Sequence, residues 1–289
     1  MTLNKILFAS DLSERAERAG HRAAQLAEHH NARLEALHVI ETDSPGLRAL
    51  SSSPNAKGVF QAAAEQQLQA STPGQKAEIR VVIGDILGEI VYAAEHGHVD
   101  LLVVGAHGQH HVRDWVLGTT AEQLVSHTPT PTLVVRHPAE TPYQRVAVAV
   151  DFSECSRQAL EAARNWFPEA ELYVLHVLDT TDLDRMLAAG IGDSFVQEQQ
   201  DRLMAEAQQE LESFVAGTGA ITDQVHMEVH AGYPATVAEN VLESLEADLV
   251  VLGNHGRGRW ANVLLGSVAG RLLRELSSDL LVIREQERA

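Results

Sequence analysis

Three glycines recur at one spacing in both halves of the 289-residue chain. Gly105, Gly108 and Gly118 are followed by Thr119, and Gly253, Gly256 and Gly266 by Ser267. Each set reads glycine, two residues, glycine, nine residues, glycine, hydroxyl residue, and an offset of 148 positions carries every member of the first set onto the second. Each set also follows an Asp and a short apolar run, Asp100-Leu-Leu-Val-Val-Gly105 and Asp248-Leu-Val-Val-Leu-Gly253, and ends where a helical pattern begins. A strand, a glycine-rich loop and a helix start together suit an anion. Glycine lets backbone N–H groups approach it, and the helix N-terminus adds unpaired donors and partial positive charge. The alternative is a plain loop, with Gly266 placed for close helix packing.

The repeat predicts two halves of one design. Strand patterns stand at 5–10, 32–40, 77–83, 101–104 and 132–135, with helical spacing at 13–30, 59–70, 86–96 and 118–126. Residues 41–58, with Ser51-Ser-Ser-Pro-Asn, read as an irregular loop. The second half repeats the strands at 145–150, 171–177, 224–230, 249–252 and 280–283. Its helices fall at 156–166, within 194–215, at 236–245 and at 267–276. Pro138 to Pro142 reads as a short linker, which sets the expected domains at 1–138 and 144–287. The strands are nearly continuous apolar runs, as expected of parallel strands buried on both faces by helices. With right-handed crossovers the fold class is a doubly wound α/β domain, twice.

Charge narrows the partners. The formal net charge is −18. Residues 1–140 hold 11 basic and 16 acidic side chains, and residues 141–289 hold 11 and 24. Such a balance argues against duplex nucleic acid and anionic membranes, and for solubility or a high-salt cytosol. No apolar run approaches the roughly 18 residues of a membrane-spanning helix. The first residues enter a strand pattern at once, without the marks of a secretory leader, and Cys155 is the one cysteine. A cytoplasmic protein is therefore expected.

The two loops differ electrostatically. The second carries Arg257 and Arg259 and no acid, whereas the first carries Arg113 beside Asp114 and three histidines, His107, His110 and His111. A polyphosphate should favour the second. The histidines, with His96 and His98 nearby, match none of the stronger zinc spacings and read as a surface cluster; no metal site is expected. Asp11-Leu-Ser-Glu14 and Asp151-Phe-Ser-Glu154 resemble capping boxes. No Gly-x-Ser-x-Gly elbow, no Gly-x-x-x-x-Gly-Lys-Ser/Thr loop and no paired acids stand out, so no catalytic residue is assigned.

In full, the pattern resembles a tandem universal stress protein. Besides the glycines, an Asp ends the first strand of each half, in Phe8-Ala-Ser-Asp11 and Ala147-Val-Ala-Val-Asp151. Leu37-His38-Val39 and Leu175-His176-Val177 end the second strands. Gly232-Tyr-Pro-Ala235 precedes a helix, with Gly84-Asp85 in the matching place. The resemblance covers nearly the whole chain. It implies an adenine nucleotide alpha hydrolase-like fold, two five-stranded parallel sheets of order 3-2-1-4-5. It further implies ATP, or AMP or ADP, with Mg2+ admissible beside the phosphates. The nucleotide-binding positions it implies in the second half are Asp151 and Val177 on the adenosine side, with Gly253, Gly256, Arg257, Gly266, Ser267 and Val268 on the phosphates. Asp11, Val39, Gly105, Gly108, Gly118 and Thr119 are their weaker counterparts. The family uses backbone groups at Val39 and Val177, so His38 and His176 read as packed strand-end histidines. Family domains pair through the last strand, which implies intramolecular pairing and admits a homodimer.

The function expected is regulatory, with ATP hydrolysis slow at most and a protein partner unspecified. The rival class is a protein-interaction or small apolar-ligand module with a repurposed site. Residues 179–215, which include Met186-Leu-Ala-Ala-Gly-Ile191 and a long amphipathic helix, suggest it.

Overall fold

The computed structural model describes residues 2–42, 56–106, 118–219, 225–254 and 266–284. The chain divides into two compact units, Thr2–Pro142 and Tyr143–Ala289.

In the first unit the elements are β1 (Lys5–Ser10), α1 (Glu14–His30), β2 (Arg33–Glu41), α2 (Ala56–Ala70), β3 (Glu78–Gly84), α3 (Ile86–His96), β4 (Leu101–Gly105), α4 (Thr119–His127) and β5 (Thr132–Val135). The strands lie in the order β3-β2-β1-β4-β5, all parallel. β1 is central, pairing Ala9 with Leu37 on one side and with Val104 on the other. Ile6, Leu7, Phe8, Leu102 and Val103 have no exposed surface, as expected of strands covered on both faces. Helix α1 starts where Ser13 Oγ accepts the N–H of Ala16, and it stops at Asn31, whose left-handed backbone returns its N–H to Ala27 and Glu28. A Cβ on Gly20 would stand 2.3 Å from the Ser71 carbonyl oxygen, so only glycine lets α1 pass there.

The second unit has β6 (Arg145–Val150), α5 (Glu154–Trp166), β7 (Glu171–Asp179), α6 (Thr181–Ala188), α7 (Asp193–Gly217), β8 (Val225–Gly232), α8 (Pro234–Ser244), β9 (Leu249–Asn254), α9 (Ser267–Glu275) and β10 (Asp279–Arg284). Its order is β8-β7-β6-β9-β10, again parallel, so the local order 3-2-1-4-5 appears in each unit. The same device ties the strand starts in both. Asp100 Oδ2 accepts the N–H groups of Asn4 and Lys5 at 2.7 and 2.9 Å, and Asp248 Oδ2 those of Gln144 and Arg145 at 2.7 and 2.8 Å. The Asp before each apolar run is therefore a staple of the sheet.

Two expectations need amending. The short helix α6 is absent from the periodicity reading because it buries one residue only, Leu183. Asp11 and Asp151 do not cap helices: Ser13 and Ser153 are the N-caps, two positions later. The polar run Asp-x-Ser-Glu fits either register, and the geometry chooses the hydroxyl. No helix among the described residues is long and apolar enough to cross a membrane.

Candidate functional site

Within each unit the chain runs from its first strand to the second and third on one side and places the fourth on the other, so a crevice opens at the carboxyl end of β1 and of β6, the place where ligands meet open α/β sheets. In the second unit the register sets Val150 beside His176 and Ala149 beside Leu252. Asp151, Val177 and Gly253 thus come from the ends of three adjacent strands. Asp11, Val39 and Gly105 hold the same places in the first unit.

Each Asp organises a tight turn. Asp11 Oδ1 accepts the N–H and hydroxyl of Ser13 at 3.1 and 2.6 Å. Asp151 Oδ1 accepts the N–H of Ser153 at 3.2 Å and the Ser156 hydroxyl. Between Asp and Ser, Leu12 and Phe152 take φ values of 62° and 61°. Left-handed backbone costs a non-glycine residue about 1–2 kcal/mol, and such outliers concentrate at functional sites. The strain recurs at matching positions, so it is built into the turn.

The strand-end histidines hold that turn from beside it. A carbonyl oxygen only accepts, so the Nδ1–H of His38 donates to Ser10 at 2.8 Å and that of His176 to Val150 at 2.9 Å. Both are packed, as the sequence reading expects. In the second unit the Phe152 ring stacks on His176 with centroids 4.2 Å apart and meets the edge of Phe214 of α7 at 5.6 Å.

The glycines divide by role. A Cβ on Gly253 would stand 2.7 Å from the Cys155 carbonyl carbon and 2.7 Å from the Ser156 nitrogen, so this glycine admits the start of α5 against β9. Gly266 has φ −55°, and a Cβ there meets nothing within 4 Å among the described residues. The packing role expected of Gly266 as the alternative belongs to Gly253 instead. Gly266 is the N-cap of α9 without a side-chain cap, and Gly118 stands likewise before α4. Ser267 and Thr119, both exposed, are the first residues of their helices, and Val268 follows half-buried. By contrast α1, α3 and α5 are capped by the side chains of Ser13, Asp85 and Ser153. Gly108, Gly256 and Arg257, with Arg259, Asp114 and the three loop histidines, lie outside the described residues.

Three residues, Asn254, Arg284 and Arg136, were missed by sequence reasoning. Asn254, 3% exposed, accepts the Gly266 N–H through Oδ1 at 3.3 Å, where the first unit uses the Ala106 carbonyl to hold the Gly118 N–H at 2.7 Å. The available signal was an amide at the position matching Ala106. Arg284, the register partner of Asn254 at the end of β10, is a cation whose pKa burial pushes down from its ordinary value. Arg136 follows β5 in the equivalent place. Cys155, fully buried, directs its thiol to the carbonyl oxygens of Asn254 and Ile283 at 3.4 and 3.2 Å. Among the described residues no group of three or more His, Cys, Asp or Glu is placed to hold a metal.

Comparison with known proteins agrees with this architecture. The model of the universal stress protein family matches residues 2–136 and again 142–284. A universal stress protein of Mycolicibacterium smegmatis is 27% identical over 309 residues, covering 96% of each chain. One from Mycobacterium tuberculosis is 30% identical over 231 residues, 75% of this chain and 69% of the relative. Among solved structures, a universal stress protein from Archaeoglobus fulgidus superposes with a TM-score of 0.68 at 21% identity, covering 99% of this chain and 100% of that one. Two family matches in tandem, on two units of one local strand order, lead to one conclusion: the chain belongs to the universal stress protein family and carries its domain twice.

Proposed function

We propose that the protein binds an adenine nucleotide, ATP or else AMP or ADP, chiefly in the second unit, and acts as a regulatory binder in the cytoplasm. The observation that carries this reading is the start of α9. Its first-turn N–H groups have no side-chain cap, its first residue is an exposed serine, and Asn254 ties its N-cap to the end of β9. That arrangement offers backbone donors, a hydroxyl and the helix dipole to a phosphate. A glycine there leaves room for the oxygens.

Asp151 and the backbone at Val177 take the adenosine end in this reading, because a carboxylate beside triphosphate oxygens would be repelled. Gly253, Gly256, Arg257, Gly266, Ser267 and Val268 take the phosphates, and any Mg2+ travels with them. The first unit, through Asp11, Val39, Gly105, Gly108, Gly118 and Thr119, forms the weaker site. Each of the proposed domains, 1–138 and 144–287, thus holds one site of its own.

Calorimetric titration of the full chain with ATP, ADP and AMP tests the reading. Saturable binding, weakened more by Gly266→Val than by Gly118→Val, is expected. No heat and no protection against unfolding with any of the three nucleotides would refute it.

A further inference from the structure

The α6–α7 corner of the second unit leaves an apolar surface outside the core. Helix α6 has eight residues and buries only Leu183. Met186 and Leu187 stand three and four positions further on, so they continue the face of Leu183 out into solvent, where they are 38% and 40% exposed. Ile191, 39% exposed, follows just past the end of α6, its N–H donating to the Met186 carbonyl at 3.1 Å. Phe195 opens α7 and is 50% exposed. Tyr233 is 58% exposed and follows Gly232, whose carbonyl accepts the Thr180 N–H immediately before α6. Of the large apolar side chains exposed among the described residues, Tyr92 alone lies elsewhere. Single exposed apolar residues need no explanation; a cluster of this kind marks a contact surface.

The charge around it says what fits. Residues 179–201 hold six acids, Asp179, Asp182, Asp184, Asp193, Glu198 and Asp201, against one base, Arg185. Arg185 is already paired with Asp182 at 2.9 Å. A second copy would bring the same acids and a chain of formal charge −18, so like charges would meet. An anionic lipid surface is disfavoured for the same reason.

We propose that this corner docks a basic amphipathic helix of a partner protein. The partner's apolar stripe seats on Met186, Leu187, Ile191 and Phe195, and its Lys and Arg residues meet the acidic rim. Helix-in-groove recognition uses such a surface, and a methionine adapts it to the incoming side chains. The inference is independent of the nucleotide site.

The test uses the full chain and a labelled peptide of about 18 residues, leucines at helical i, i+3, i+4, i+7 spacing and lysines elsewhere. One control scrambles the order to destroy the apolar face, and another replaces lysine by glutamate. Fluorescence anisotropy should show saturable binding that weakens with salt, and at least about tenfold weaker binding of both controls. The double variant Met186→Ser, Phe195→Ser should lose about tenfold in affinity without a change in melting temperature, since both side chains are exposed. The triple variant Asp182→Asn, Asp184→Asn, Asp193→Asn should lose affinity and flatten the salt dependence. Undiminished binding by the serine variant would show mere charge attraction and overturn the proposal. A concentration-dependent dimer in sedimentation that the serine variant abolishes would make the occupant a second copy. Binding to neutral phosphatidylcholine vesicles abolished in the same way would make it a membrane. Either result overturns the proposal.

Discussion

Gly253 and Cys155 meet backbone to side, with a built Cβ on the glycine only 2.7 Å from the cysteine carbonyl carbon. The obstacle is main chain at the start of α5, and it cannot swing aside. Gly253→Ala should therefore destabilise the second unit by about 1–3 kcal/mol, the usual cost of overpacking. Gly266→Ala, with nothing near its Cβ among the described residues and an ordinary φ, should stay within about 0.5 kcal/mol. Chemical denaturation of both variants checks the contrast. Equal losses would mean that the two glycines share one role.

Ser267→Ala separates a phosphate ligand from a merely structural residue. A charge-assisted hydrogen bond contributes about 1.5–3 kcal/mol, so ATP affinity should fall about tenfold or more. Adenosine has no phosphate, and its affinity should hold. Titrating the variant with both ligands decides the matter, and a parallel loss would remove Ser267 from the phosphates.

Tyr143 donates its hydroxyl proton to Oδ2 of the fully buried Asp279 at 2.6 Å. Tyr143→Phe keeps the ring, and its edge contact with Phe167, but withdraws that donor from a buried carboxyl group. The cost should be about 1–3 kcal/mol. A melting temperature equal to that of the native chain would show that the pair contributes nothing.

The Asp179 carboxyl is held below its ordinary pKa, first by the Thr181 hydroxyl and then by the Thr181 N–H. A folded-state pKa below the unfolded one gives stabilisation that is full above the unfolded value and is lost as pH falls through the folded value. Thr181→Ala removes the hydroxyl, so the Asp179 titration should move upward and this corner should loosen at higher pH than in the native chain. Side-chain NMR titration reads the shift; an unmoved midpoint would show that the hydroxyl does not set it.

Much of the fold was open to sequence reading because its signals are redundant. The runs Leu101–Val104 and Val146–Val150 are apolar throughout because both faces are covered, and the offset between halves supplied a second reading of each element. Helix α6 escaped because one buried leucine makes no period. The cap escaped because Asp11 and Ser13 are both good caps, and the choice depends on the positive φ of Leu12, which no propensity favours. Asn254 escaped for a different reason. Its partner Gly266 lies twelve residues on, and hydrogen bonds across a loop leave no periodic trace.

The segment from β4 to α4 and the segment from β9 to α9 are clasped at their ends by unlike materials. In the first unit the acceptor is the main-chain carbonyl of Ala106, present whatever side chain stands there; in the second it is the amide of Asn254. One clasp is thus beyond the reach of side-chain replacement, while the other depends on a single codon. The two units repeat one spacing, yet a single substitution can remove the second clasp, whereas the acceptor of the first stays with the main chain.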